Sequence, residues 1–149
     1  MRDSVLVFID GTICDLTHRH DLKGAPDFEN ENEIMKDVAV GDSVACMNEL
    51  AQKYDLVYIG ARSKSTVDIT KKWLNANGFP DGVVVAGSNQ NERMSIVKKL
   101  KNEIHFIAGI GDRWDDNELH LELGCMSIIL QEYNCNWNTV RKYLLDKAR

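Results

Sequence analysis

The chain has 149 residues, with 18 Lys plus Arg against 23 Asp plus Glu and a formal net charge of -5. That length suits one domain with its own core, burying roughly 68–70% of the unfolded surface, and a 44% hydrophobic content with two prolines argues against disorder. No run of about 18 apolar residues is present to span a membrane, the first apolar stretch is too short for a secretory signal, and the acidic balance disfavours non-specific nucleic-acid binding, which needs clustered cations.

In chain order, residues 5–9 (VLVFI) form a continuous apolar strand of the kind buried on both faces of a parallel sheet. The strand runs into the polar turn Asp10-Gly11-Thr12. Ser43 is placed to cap a helix whose apolar positions Val44, Met47, Leu50, Ala51 and Tyr54 keep the 3.6-residue period. Residues 56–59 form the next strand, ending at Gly60-Ala61-Arg62. A helix over 65–77 buries Ile69 and Trp73, with Gly78 closing it and Pro80 just beyond. A strand at 83–86 leads to a helix over 91–101 with Ile96, Val97 and Leu100 inward. Residues 105–108 form the fourth strand and lead to Gly109-Ile110-Gly111-Asp112. A helix over 115–123 closed by Gly124, a strand at 127–130 and a last helix over 136–146 complete the pattern, the last with Trp137, Val140 and Leu144 on one stripe.

This alternation predicts a three-layer α/β/α sandwich around a mainly parallel, doubly wound sheet of about five strands, with 1–149 as a single domain. Ligands of such sheets bind outside the carboxyl ends of the strands, and Asp10, Gly60 to Arg62 and Asp112 all fall there. Residues 13–42 are too long and too irregular for an ordinary connection and are expected to act as a flap or minimal cap. Leu16, Leu22, Phe28, Ile34 and Met35 are its candidate anchors. The four cysteines form no Cys-x-x-Cys pair and read as reduced thiols of a cytoplasmic protein.

The strand-end residues suggest a phosphate and metal site. Asp112 and Asp116 lie four apart around a helix start, so their carboxylates can share one side and, with Asp10, receive a hard cation such as magnesium. Gly11 permits a tight turn that presents Asp10 and Thr12. Arg62 carries a donor fork suited to phosphate, and Arg93 is a second cation near the third helix. Arg62 serves equally well as an ion-pair partner for Asp10 or Asp112, since clustered carboxylates repel one another.

Phe8-Ile9-Asp10-Gly11-Thr12, Ile59-Gly60-Ala61-Arg62 and Ile110-Gly111-Asp112-Arg113-Trp114-Asp115-Asp116 together resemble three signature segments of the haloacid-dehalogenase-like phosphohydrolase superfamily, in the same order. The stretch 10–19 (DGTICDLTHR) is similar to minimal-cap members related to the polynucleotide 3'-phosphatase domain and to phage-type phosphatases. The resemblance implies a first segment Asp-x-Asp-Gly-Thr, whose first aspartate attacks phosphorus and binds magnesium and whose second is the general acid and base. Asp10 matches the second; Phe8 stands at the first, and phenylalanine can do neither task. Gly60 stands where the resemblance implies Ser or Thr, leaving only a backbone N–H beside Ala61. Arg93 is the candidate for the usual lysine, with Lys98 as the alternative. Arg19, in the flap, is a candidate substrate contact.

The expected protein is thus a phosphatase homologue that has lost most or all phosphoaspartyl chemistry, with magnesium binding weak or lost, and that binds a phosphorylated small molecule, a nucleotide or a protein partner. The alternatives are a magnesium-dependent phosphomonoesterase on nucleotides or nucleic-acid 3' ends, working through a water positioned by Asp10 or Asp112, and a structural module that forms homodimers. His18 and His20, flanked by Asp15 and Asp21, also make a zinc-ligand pattern, but alternating ligands in an irregular segment arise easily by chance. Phe8 suits core packing at a strand end, His105 and His120 suit structural roles, and Trp114 suits a pocket lining or partner surface.

Overall fold

The computed structural model of the protein describes residues 2–145. Five parallel strands form one sheet in the order β5-β4-β1-β6-β7: β1 (Ser4–Phe8), β4 (Asp55–Gly60), β5 (Val83–Ala86), β6 (Phe106–Gly111) and β7 (Met126–Ile129). A separate antiparallel pair, β2 (Cys14–Asp15) and β3 (Val38–Ala39), lies in the segment after β1. The helices are α1 (Glu31–Met35), α2 (Ser43–Ala51), α3 (Val67–Ala76), α4 (Gln90–Leu100), α5 (Trp114–Leu123) and α6 (Trp137–Leu144). The last residue of the helix expected over 136–146 lies outside the described residues.

Alternation along the strands builds the three layers. On β1, Val5 and Val7 face one core with Met47, Leu50, Trp73 and Trp137, while Leu6 and Phe8 face the other with Val97 and Leu119. Burial on both faces explains why the strands read as continuous apolar runs rather than alternating ones. Helices α2, α3 and α6 therefore cover one side and α4 and α5 the other. Strand order reverses at β1, because the chain leaves it first toward β4 and β5 and later toward β6 and β7. The register sets Phe8 beside Ile59, and Val7 beside Ile110, so three strands end level at this switch point.

Several local expectations differ: β6 runs on past Ala108 to Gly111, and α3 begins only at Val67, after a 3-10 turn over Lys64–Thr66. Ser43 does not cap α2; Asp42 holds the cap position at φ +67°, and the buried Ser43 hydroxyl donates back to the carbonyl of Val40 at 2.6 Å. Helix α4 starts one residue earlier than expected, because the Asn89 side chain accepts from the Glu92 N–H and caps it. Residues 13–42 contain β2, two 3-10 turns (Thr17–Leu22 and Pro26–Glu29), α1 and β3. Leu16 and Ile34 are buried there, Phe28 and Leu22 are half-buried, and Met35 is exposed. No described helix is long and apolar enough to cross a membrane.

Candidate functional site

The chain leaves β1 through a tight turn in which the carbonyl of Ile9 accepts from the N–H groups of Thr12, Ile13 and Cys14. Gly11 makes this turn at φ +90°, and a Cβ there would come within 2.4 Å of Asp112 Oδ2. Glycine is therefore required twice, for its backbone conformation and for the space it leaves. The turn sends Thr12 inward, where its buried hydroxyl donates to Asp112 Oδ1 at 2.9 Å. Asp10 turns the other way, toward the end of β4, and its Oδ2 accepts from the Ala61 N–H at 2.7 Å.

Arg62 completes that contact. Its side chain lies across Gly60, where a Cβ would meet its Cγ at 3.0 Å. From there Nη2 donates to Asp10 Oδ1, Nε lies 3.4 Å from Asp10 Oδ2, and Nη1 reaches Thr70 Oγ1 at 3.3 Å. Burial opposes ionisation of Asp10, but the Arg62 guanidinium and the Ala61 N–H overcome it and hold the carboxyl below its usual range.

Asp112 and Asp116 differ in what they face. Asp116 Oδ2 accepts from the N–H groups of Asp112 and Arg113 at 2.9 and 3.2 Å, so its carboxylate serves the first turn of its own helix. Gly111 leaves room for that approach, since a Cβ there would lie 2.5 Å from Asp116 Oδ2. Asp112 Oδ2 is buried with no hydrogen-bond partner. Burial raises the pKa of both carboxyls above the usual carboxylate range, and the charge of Asp116 raises Asp112 further.

A cavity of about 260 Å³ opens over these strand ends. Its floor includes Phe8, Asp10, Gly11, Ala61, Arg62, Arg93 and Asp116. The segment 13–42 roofs it with Leu16, Arg19, His20, Lys23, Gly24 and Phe28, and Arg113, Asp115, Glu132 and Tyr133 close the third side. The roof is tied down at both edges. Glu29 accepts from the Ser63 N–H at 2.9 Å and from the Ser63 hydroxyl, and His20 Nε2 meets the Tyr133 hydroxyl at 2.8 Å.

Several candidates from the sequence sit differently from their expected roles. Arg19 reaches the cavity wall but is fully buried and committed: Nε and Nη2 each donate to Asp37 at 2.8 Å, and Nη1 donates to the Phe28 carbonyl. Its guanidinium also stacks 4.6 Å from the Phe28 ring centroid. Asp112 does not line the cavity, because its carboxylate lies behind Gly11 on Thr12. Lys98 is exposed along α4 and away from the cavity wall, so Arg93 is the cation that α4 brings to the site. Phe8 is 2% exposed and packs edge-on against His120, at 5.9 Å between ring centroids. His18 contacts Asp37 and Glu33, and His20 contacts Tyr133, so the two rings do not converge on a common point. Trp114 is 81% exposed and outside the cavity wall.

Asp37 is the residue that sequence reasoning missed. Its buried carboxylate accepts from Arg19 and His18, takes the Cys14 thiol at 3.2 Å, and lies 4.0 Å from Arg62 Nη2. One carboxylate thus links the roof to the Arg62–Asp10 pair. No local pattern announces it, because its partners come from β2, the first 3-10 turn and the end of β4.

No protein-family model matches the sequence, and no curated protein matches it. Solved structures do. The chain superposes on a chain of the Pnkp1/Rnl/Hen1 RNA repair complex with a TM-score of 0.68 and 13% identity, over 89% of its own length and 43% of that chain. It therefore spans less than half of that larger protein. It is also similar to a haloacid dehalogenase-like family hydrolase from Streptococcus pneumoniae, with a TM-score of 0.61, 15% identity and coverage of 97% and 92% of the two chains. A third match is a haloacid dehalogenase family enzyme from Bacteroides thetaiotaomicron in complex with magnesium and inorganic phosphate, with a TM-score of 0.59, 12% identity and coverage of 94% and 99%. The fold is haloacid-dehalogenase-like.

Proposed function

We propose that the protein is a phosphatase homologue that has lost phosphoaspartyl chemistry and binds a phosphorylated ligand in the cavity over the strand ends. The observation that carries this reading is Phe8, buried in the core at the position where the resemblance implies the nucleophile. A phenyl ring supplies no lone pair to phosphorus, so the covalent route is closed. The neighbouring acid is also engaged, since Asp10 is held by Arg62 and Ala61. A general acid must reach the leaving group with a proton to give, whereas the Arg62 guanidinium favours the ionised form of Asp10. Gly60 removes a third contribution, the hydroxyl that would hold a phosphoryl oxygen. Loss of one such donor alone typically costs about 2.7–4 kcal/mol of transition-state stabilisation.

Retention of a ligand is supported by what lines the cavity. Arg93 and Lys23 bring positive charge, and Leu16 and Phe28 bring an apolar lip suited to an organic group. A matched enzyme of the same fold, in complex with magnesium and inorganic phosphate, supports phosphate as the ligand chemistry. The test is phosphate release with magnesium across a panel of phosphomonoesters that includes nucleotides and 3'-phosphorylated oligonucleotides, with Asp112→Asn alongside. The expected result is no release above that control, together with a ligand-dependent rise in melting temperature. Turnover in the wild type that disappears in Asp112→Asn would overturn the reading in favour of an active phosphomonoesterase.

A further inference from the structure

Resemblance to this superfamily implies a divalent cation, and the carboxylate side chains here do not fit one. Magnesium needs hard oxygens with open lone pairs aimed at one point. Asp10 gives both carboxylate oxygens to Arg62 and Ala61. Asp116 turns one oxygen onto the backbone of its own helix. Asp112 keeps a free oxygen, but that atom is sealed against Gly11 and lies outside the cavity wall. The carboxylate implied at position 8 is a buried phenyl ring. Among the described residues no three His, Cys, Asp or Glu side chains come together to hold a metal ion.

Positive charge reaches this end of the sheet on two arginines. Arg62 crosses Gly60 and sets its guanidinium directly on Asp10. Arg93 is folded against Gly87, where a Cβ would meet its Cγ at 2.9 Å, and is tethered by one bond from Nη1 to the Gly87 carbonyl at 2.8 Å. Its Nε and Nη2 have no protein partner among the described residues, and the side chain forms part of the cavity wall. Lys23, on the roof above, likewise has no ion-pair or hydrogen-bond partner for its ammonium among the described residues. The Arg93 guanidinium, whose charge also favours the ionised form of Asp116, keeps two nitrogens open, and the exposed Lys23 ammonium lines the same cavity; guanidinium and ammonium groups of this kind hold a tetrahedral dianion.

We infer that this cavity binds a phosphoryl group without a divalent metal ion, on Arg93 and Lys23, while Arg62 neutralises the Asp10 carboxylate. The inference rests on the phosphoryl-binding reading above and adds to it the identity of the binding groups and their independence of metal. Arg62 is a positioning residue here, since its donors are spent on Asp10 and Thr70.

The experiment is calorimetric titration of the full chain with inorganic phosphate and, separately, phenyl phosphate, each once in EDTA and once in magnesium chloride. Equal affinity in the two buffers, within about twofold, is expected. Tighter binding of phenyl phosphate assigns a phosphomonoester seated on Leu16 and Phe28; equal binding assigns the free anion, and both support the inference. Arg93→Gln is expected to weaken binding about tenfold or more, the scale of a lost charge-assisted hydrogen bond. Because Arg93 is nearly buried, Lys23→Gln on the exposed roof is the companion variant, with an expected loss of about two- to fivefold. Binding that requires magnesium would overturn the inference and leave the phosphoryl-binding reading intact. No binding in either buffer would overturn both. Unchanged affinity in both variants would overturn the assignment of the binding groups.

Discussion

Arg62 lies across Gly60 and grips the carboxylate of Asp10, so that the second and first signature segments are joined by an internal ion pair at the switch point of the sheet. The pair depends on a missing side chain. A Cβ at position 60 would stand 3.0 Å from Arg62 Cγ, 3.2 Å from Cδ and 3.3 Å from Nε. The residue implied there by the resemblance is Ser or Thr, and either would crowd the arginine along most of its length. The absence of a side chain at position 60 and the presence of the ion pair therefore go together.

Gly60→Ser therefore tests the pair directly. Overpacking of this kind costs about 1–3 kcal/mol, and the displaced guanidinium would also lose Thr70. Urea unfolding should show a lower midpoint with an unchanged slope. A variant as stable as the wild type would mean that Arg62 has room to move aside and that the ion pair contributes little.

Asp37 should be the most costly acid to remove. It is fully buried and is the partner of an arginine that is also buried. Asp37→Ala leaves the Arg19 charge uncompensated, and breaking a buried pair from one side typically costs about 3–5 kcal/mol. Asp37→Asn keeps one acceptor and should cost less. The same unfolding measurement orders the two, and equal stability of Asp37→Ala and the wild type would remove Asp37 from its place as the link between roof and floor.

These two cases mark what can be read from the sequence. The strand ends were legible because burial on both faces writes each strand as an unbroken apolar run, and the polar residues that follow must lie at its carboxyl end. Asp10, Arg62 and Asp112 were found in that way. Their partners were not. Nothing local says that Asp112 turns behind Gly11 to Thr12, or that Asp10 takes Arg62, since those contacts join residues 100 and 52 positions apart. The segment 13–42 was legible only as an irregular connection. Its order comes from contacts that carry no period, such as Glu29 on Ser63 and Arg19 on Asp37. Phe8 is the opposite case, a residue whose chemistry could be judged from its identity alone.

The acid pair predicts a pH dependence. Burial, with the charge of Asp116 behind it, raises Asp112 to about 7, and burial raises Asp116 to about 6, both from 3.8. The folded state therefore holds more protons than the unfolded chain between about pH 4 and pH 7, and the pair's contribution to stability falls as pH rises through that window. His120 acts in the opposite sense: burial lowers it to about 4, so its contribution is present above about 6.5 and is lost on acidification. Asp112→Asn separates the two, because His120 is common to both proteins. The variant should melt higher than the wild type at pH 8, and the difference should shrink by pH 4. A constant difference across that range would mean that Asp112 titrates normally.

A carboxylate placed at position 8 should not by itself give phosphatase activity. Phe8→Asp removes a ring that packs with Leu6, Val97 and Leu119 and against His120, a loss of about 3–5 kcal/mol by analogy with buried Phe→Ala changes. The new carboxylate would enter a site where Asp10 is already held by Arg62, Asp112 faces away from the cavity, and position 60 offers no hydroxyl. Phosphate release by Phe8→Asp should therefore stay at the level of Phe8→Asp combined with Asp112→Asn, once circular dichroism has shown that both are folded. The single restoration is informative because the two accounts of the site diverge on it. If the chain were an intact phosphatase lacking only its nucleophile, turnover would return with one substitution. If the Arg62–Asp10 pair, Gly60 and the placement of Asp112 each prevent turnover, it would not, and adding Gly60→Ser to free Asp10 is the smallest further step to test.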